Sequence, residues 1–216
     1  MPPQAAPAAK ASAPEVTDLF SLFGEPRRPW LDLEALKKKF LSLSSELHPD
    51  RVHNASAAEK EAAHLRLTTL NDGYLRLREP KDRLRHLLEL ELGSKPKDIQ
   101  RIPPDLMDLF MEVSQLCRQT DAFLTEKRAA TSPLVQVQMF ERSQEWTEKL
   151  MDLQKTLKAR LDELEAQLKG IDAAWPARDS STRTATIDRL ETLYRLFSYY
   201  ARWSSQIQER IVQLAF

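Results

Sequence analysis

The sequence predicts an all-α protein, with a helical hairpin and two short helices in its first half and a three-helix bundle in its second. Apolar residues recur at helical steps of three and four along most of the chain, and no β-branched run bounded by turn residues predicts a strand. Glycine occurs only four times, and Gly24, Gly93 and Gly170 each follow an apolar periodic segment, where helices commonly end.

The first two helices are predicted from caps and prolines. A short helix over about 16–23 ends at Gly24. The second begins after Asp32, a good N-cap, and ends before Pro49, because proline disfavours helical geometry in the preceding residue. Its expected buried stripe is Leu33, Leu36, Phe40, Leu43 and Leu47.

The third helix is predicted to begin near Ser56, where Glu59 completes a capping box, and to end at Pro80. A fourth helix over 81–92 is closed by Gly93. The stripe expected to face the second helix is Ala63, Leu67, Leu70, Tyr74 and Leu77.

The second half is predicted to form a three-helix bundle over 105–216, after a proline-containing linker over 94–104. The last helix carries an inward stripe and also a second apolar band, Leu193, Leu196, Tyr199, Tyr200 and Trp203. Such a band is compatible with a partner surface, with self-association or with packing against the first half of the chain.

Composition excludes several classes of protein. Lysine plus arginine equal aspartate plus glutamate at 32 each, so net charge predicts no nucleic acid or membrane partner. The lone Cys117 excludes an internal disulfide and predicts a buried thiol. No apolar run approaches the ~20 residues of a bilayer-spanning helix. Residues 1–14 are rich in alanine and proline and predict a flexible tail. We expect a cytoplasmic location.

Catalytic and metal chemistry find no support in the sequence. The histidines outside position 48, namely His53, His64 and His86, lack ligand spacing with cysteines or carboxylates and are interpreted as surface groups. No phosphate-binding glycine loop or nucleophile with a spaced base is present. We therefore expect neither an enzyme nor a cofactor or metal.

The tripeptide His48-Pro49-Asp50 lies between the two hairpin helices and follows a basic helical face. A histidine beside a rigid proline and a carboxylate presents a donor, an acceptor and a negative charge at a fixed angle, which suits binding to a charged pair on a partner. The alternative is an ordinary turn in which Asp50 caps a helix and Pro49 stiffens the chain.

Several segments together resemble the HscB family of J-domain co-chaperones of iron–sulfur cluster assembly. They are His48-Pro49-Asp50, Asp18-Leu19-Phe20-Ser21-Leu22-Phe23-Gly24-Glu25-Pro26, Asn71-Asp72-Gly73-Tyr74-Leu75-Arg76-Leu77 with Pro80 and Arg83, and Ile102-Pro103-Pro104 before Phe110-Met111-Glu112. The resemblance implies a J-domain over 15–93 and a client-binding bundle over 105–216. The absence of an N-terminal pair of cysteine motifs favours the bacterial type.

The resemblance also implies two binding surfaces. The chaperone-binding residues would be His48, Pro49, Asp50, Lys37, Lys38 and Arg51. The client-binding residues would be Phe110, Met111, Ser114, Gln115, Arg118 and Tyr199. The chain departs from the family at Leu47, where an aromatic residue is usual, at Gly73, where alanine is usual, and at Ser114, Gln115 and Arg118, which replace more apolar or acidic residues.

The function implied is that of a co-chaperone, not an enzyme. It would bind an IscU-like iron–sulfur scaffold protein and stimulate the ATPase of a DnaK/HscA-type chaperone, assisting cluster maturation and transfer. The alternative is a J-domain protein that delivers a different client to DnaK.

Overall fold

The computed structural model describes residues 17–47, 56–96, 102–175 and 180–216, and within these ranges the regular structure is helical. A short 3-10 turn, Pro104–Leu106, precedes the second half. The α-helices are α1 (Leu19–Leu22), α2 (Leu33–Glu46), α3 (Ala57–Arg78), α4 (Pro80–Leu92), α5 (Met107–Ala129), α6 (Pro133–Ala174) and α7 (Ser180–Ala215). The predicted all-α fold class is confirmed.

Side-chain caps fix the starts of the first three helices. The Asp18 carboxylate accepts the backbone N–H groups at the start of α1, and Asp32 does the same for α2. At α3, Ser56 and Glu59 form the predicted capping box. These caps satisfy backbone donors that have no partner inside a helix, so they set where each helix begins.

The α2–α3 hairpin is held by the predicted stripes, with Leu36, Leu70 and Leu77 buried. Halfway along it, the rings of Phe40 and Tyr74 stack with centroids 4.3 Å apart. The prediction for Leu33 is wrong, because its side chain is 44% exposed. Leu33 lies in the first turn of α2, at the open edge of a shallow pocket, where the hairpin no longer covers it.

Gly73 allows α1 to pack directly on α3. A Cβ atom at this position would lie 3.1 Å from Phe23 Cε2 and 3.2 Å from Leu22 Cδ2. Alanine would gain about 1 kcal/mol of helix propensity, but these two side chains would have to move by a few tenths of an ångström to make room for its Cβ atom. Glycine at position 73 therefore suits the close packing of α1 on α3.

The prediction that His86 is a surface group is wrong. Its side chain is 4% exposed, its Nε2 accepts a hydrogen bond of 3.0 Å from the backbone N–H of Leu19, and its ring stacks on Phe20. Burial lowers the pKa of the imidazole, which keeps the ring neutral and Nε2 free to accept. His86 therefore joins α4 to the start of α1.

Acid is expected to weaken this contact. Because the folded-state pKa of His86 lies below the unfolded value of about 6.5, the unfolded chain takes up a proton first as the pH falls. The stabilisation is complete above about pH 6.5 and is lost as the pH falls through the folded-state pKa. We expect His86→Gln to flatten this part of the pH dependence of the free energy of unfolding, measured by urea denaturation between about pH 7 and pH 5.

The exposed His64 on α3 provides the matched control. His64→Gln should leave the acid-dependent loss of stability as it is in the wild-type protein. An unchanged pH dependence in His86→Gln would contradict the role given to His86.

The second half forms an up-down-up bundle in which α5 and α7 run parallel. Three contacts set this direction: Phe110 packs against Trp203, Asp121 pairs with Arg210, and Lys127 Nζ donates to the Leu214 carbonyl oxygen at 2.7 Å. The predicted three-helix arrangement is confirmed. The middle helix, α6, runs for 42 residues antiparallel to both.

The prediction that a helix ends at Gly170 is wrong, although those for Gly24 and Gly93 are right. Gly24 and Gly93 have φ of +59° and +68°, whereas Gly170 lies inside α6, which continues to Ala174. Beyond Gly170, Ile171 is buried in the core. That burial outweighs the cost of about 1 kcal/mol for a glycine within a helix.

The two halves share one hydrophobic core, because α4 packs along α7. The second apolar band of α7 is mostly buried: Leu193, Tyr199, Tyr200 and Trp203 are at most 6% exposed. Of the alternatives for this band, packing within the protein is the one observed. The domain boundaries at 15–93, 94–104 and 105–216 remain a prediction.

A buried carboxylate joins the α1–α2 connection to the bundle. Asp172, near the end of α6, accepts hydrogen bonds from Arg28 Nε at 3.0 Å, from Arg28 Nη2 and from the backbone N–H of Trp30 at 3.1 Å. The indole Nε1 of Trp175 donates to the Arg27 carbonyl oxygen at 2.7 Å. The connection is thus fixed against the end of α6.

Candidate functional site

The basic face predicted on α2 is present. Lys37 and Lys38 are exposed, and no ion pair engages either one among the residues that the structure describes. Lys39 differs, because its Nζ lies 2.7 Å from Glu25 Oε1 and 3.3 Å from the Gly24 carbonyl oxygen. Two of the three consecutive lysines are therefore free to meet a partner, and the third holds the α1–α2 connection.

The tripeptide His48-Pro49-Asp50 and Arg51 lie outside the described residues, so their site roles remain predictions. Their flanks are described: α2 ends at Glu46, and Ser56 caps α3. In the sequence these residues therefore lie between the end of α2 and the start of α3, and the lysines of α2 precede them by about three turns.

Leu41 is a candidate that the sequence analysis missed. It lies one turn beyond Lys37 on α2, and 56% of its side chain is exposed. An exposed leucine one turn beyond Lys37 adds apolar area to a charged surface. The sequence contained one signal for its exposure, because Leu41 does not fall on the predicted buried stripe of α2.

The predicted client residues of α5 form one strip at the start of that helix. Phe110 and Ser114 are half-buried, and Gln115 and Arg118 are exposed, while Met111 is 53% exposed. These five side chains therefore share one accessible face. This face is apolar at Phe110 and Met111 and carries the positive charge of Arg118 about two turns farther along α5.

Tyr199 belongs to the same region but lies deeper. The ring of Trp203, on α7, lies at the contact between α7 and α5. Its centroid is 6.3 Å from that of Phe110 on α5 and 5.7 Å from that of Tyr199 on α7. Tyr199 is 6% exposed, and its hydroxyl has no hydrogen-bond partner among the described residues. Its ring supports Trp203 and, through it, the exposed strip of α5.

Met107 extends this strip and was also missed. It lies one turn before Met111 and is 43% exposed. Methionines at this spacing present a flexible, polarisable surface that adapts to a partner. Trp203, which the sequence placed only in the second band of α7, is the buried residue that joins Phe110 to Tyr199.

Within the described residues, the structure bears on the lone cysteine, on metal binding and on membrane crossing. Cys117 is buried as predicted, and burial raises the pKa of its thiol. No group of three or more potential metal ligands lies within those ranges. None of the helices there is long and apolar enough to cross a bilayer.

Comparison with known proteins gives matches among curated sequences and among solved structures. No protein-family model matches the chain. The co-chaperone protein HscB homolog of Chromobacterium violaceum is 36% identical over 96 residues, which are 44% of this chain and 55% of that protein. The match thus spans about half the length of the curated relative.

Two solved structures share the fold. The chaperone HscB from Vibrio cholerae superposes with a TM-score of 0.59 and 22% identity, over 92% of this chain and 99% of that one. The human co-chaperone protein HscB superposes with a TM-score of 0.57 and 19% identity, over 97% of this chain and 92% of that one. The sequence match and the shared all-α fold support the resemblance to the HscB family.

Proposed function

We propose that this chain is a J-type co-chaperone of iron–sulfur cluster assembly. It would stimulate the ATPase of a DnaK/HscA-type chaperone while its bundle holds an IscU-like scaffold protein. The observation that carries the proposal is the free lysine pair, Lys37 and Lys38, on the helix that leads directly into His48-Pro49-Asp50. A curated relative that matches part of the chain is itself named a co-chaperone.

The chaperone-binding step would use charge to guide the encounter. Lys37, Lys38 and Arg51 would attract an acidic surface of the ATPase domain, and Leu41 would add apolar contact. His48, Pro49 and Asp50 would then engage a charged pair on that domain. ATP hydrolysis would take place in the chaperone, so this chain would need no catalytic residue of its own.

The client-binding step would use the exposed strip of α5. Phe110, Met111, Ser114, Gln115 and Arg118 would contact the scaffold, with Tyr199 supporting them from below through Trp203. Because the J-domain half and the bundle share one core, a scaffold held there stays near the chaperone. That proximity raises its effective concentration at the chaperone.

Single-turnover ATP hydrolysis by a DnaK-type chaperone, with and without IscU, tests both surfaces. We expect the wild-type protein to accelerate hydrolysis, the scaffold to increase this further, and His48→Gln to abolish the acceleration. Met111→Asp should remove only the scaffold-dependent part. The control is Met151→Asp, which changes a methionine of similar exposure on α6.

A charge control separates docking from general electrostatics. Lys37→Ala with Lys38→Ala should weaken stimulation, whereas Lys155→Ala with Lys158→Ala, which removes two exposed lysines of α6, should not. Stimulation that stays the same when IscU is added would favour the alternative, a J-domain protein with a different client. The polar residues Ser114 and Gln115 would suit such a client. No stimulation with a cognate chaperone would contradict the proposed function.

A further inference from the structure

An apolar groove lies at the far end of the bundle, where α5 ends, α6 begins and α7 ends. It has a volume of about 590 Å³ and is lined by Leu124, Met139, Phe140, Val212 and Phe216 among others. Phe110 and Lys127 are 17 positions apart on α5, which is about 25 Å along a helix. The groove is therefore separate from the proposed client strip.

Apolar exposure is concentrated around this groove. Phe140 is 63% exposed and Val212 is 46% exposed. On the first turns of α6, Leu134 at 71% and Val137 at 59% continue the apolar surface beyond the groove at steps of three residues. Exposed apolar surface of this kind commonly marks a binding site, and apolar residues that recur along the turns of α6 suit a peptide segment.

The charged side chains that line the groove have one sign. Its lining includes Lys127 and Arg128 and no acidic side chain. Lys127 donates one hydrogen bond to the Leu214 carbonyl oxygen, which leaves two of its N–H groups for another acceptor. The neighbouring Glu126 is already paired with Arg142 at 2.7 Å, so it does not neutralise Arg128.

We propose that this groove binds an amphipathic helix of a partner protein, with apolar side chains toward Phe140 and Val212 and carboxylates toward Lys127 and Arg128. Helices that bind grooves in this way present apolar residues at helical spacing on one face. Charge argues against a second copy of this chain as the occupant, because a two-fold contact through the groove would face its cations with no acid lining the opposite side.

Fluorescence polarisation tests the proposal with a labelled designed helix of about 15 residues, carrying leucines on one face and glutamates on the others. A second peptide has lysine in place of every glutamate. We expect the wild-type full-length protein to bind the glutamate peptide and not the lysine peptide. Val212→Asp and, independently, Phe140→Asp should each weaken binding about tenfold or more, and Arg128→Glu should reduce the preference for glutamate.

Met151→Asp is the matched control, because Met151 is as exposed as Val212 and lies on α6 outside the groove. Thermal unfolding shows whether each variant keeps its fold. Equal affinity for both peptides, no binding, or unchanged binding in Val212→Asp and Phe140→Asp would overturn the proposal. A wild-type dimer in sedimentation equilibrium that Val212→Asp dissociates would overturn it in favour of self-association.

Discussion

Replacing Arg83 by methionine should lower the free energy of unfolding by about 3 kcal/mol, or about a hundredfold in the ratio of folded to unfolded protein. The guanidinium is 2% exposed. It donates from Nε to the Pro29 carbonyl oxygen at 2.9 Å and from Nη1 to the Leu77 carbonyl oxygen at 2.7 Å. Methionine fills similar space but leaves both buried acceptors without a donor.

Two opposing effects decide the size of this loss. Burial lowers the pKa of Arg83 to about 10, so the buried cation carries a desolvation penalty that methionine would relieve. The carbonyl of Leu77, however, is among the last of α3, where no helical N–H can replace the lost donor. We therefore expect the unsatisfied acceptors to dominate. Arg83→Lys, which keeps a single donor group, should have an intermediate effect.

Urea denaturation followed by tryptophan fluorescence measures this loss, and Arg85→Met is the control. Arg85 is two residues away on α4, half exposed, and pairs with Glu89 at 3.6 Å. Such an exposed pair contributes about 0.5 kcal/mol or less. If the Arg83 and Arg85 variants were equally stable, the anchoring role of Arg83 would be wrong.

Asp172→Ala is expected to lower the free energy of unfolding by about 2–3 kcal/mol. The carboxylate is 4% exposed and accepts from Arg28 and from the Trp30 backbone. Without it, the partly buried N–H of Trp30 loses the carboxylate as its acceptor. Arg28 can regain water because its side chain is 37% exposed, which keeps the loss below that of a fully buried pair.

Hydrogen exchange locates the effect, because the amide of Trp30 should exchange faster in Asp172→Ala. Asp162→Ala, on the same helix, is the control, since Asp162 is 59% exposed and pairs only with the exposed Lys158. Protection at Trp30 that survives in Asp172→Ala would contradict the proposed connection. Combining Asp172→Ala with Arg28→Ala in a double-mutant cycle isolates the energy of that pair.

Helix starts were predictable because their causes are local. Asp32 and Ser56 accept backbone N–H groups within the next three residues, and Glu59 accepts from the N–H of Ser56, so sequence spacing alone contains the information. The failure at Gly170 has the opposite cause. A glycine lowers helix propensity by about 1 kcal/mol, but whether the helix continues depends on Ile171 and on what packs against it.

Burial of polar residues was not predictable from the chain. His86 appeared to be a surface group because no ligand spacing included it, yet the Leu19 N–H that it accepts lies 67 positions earlier. Trp203 and Tyr199 were assigned to a band with several possible partners, and the contacts of α7 with α4 and α5 decided among them. Such contacts join residues far apart in sequence, where periodicity carries no information.

The sequence by itself therefore determined the all-α class, the caps of the first helices and the hairpin, and it carried the resemblance to the HscB family. All of these depend on short-range periodicity, on side-chain to backbone spacing, or on the motif at His48-Pro49-Asp50. Only the tertiary structure decided that Arg83, His86 and Asp172 are buried, and that one core joins both halves. The physical reason is that a polar group becomes buried only when distant segments supply its hydrogen-bond partners.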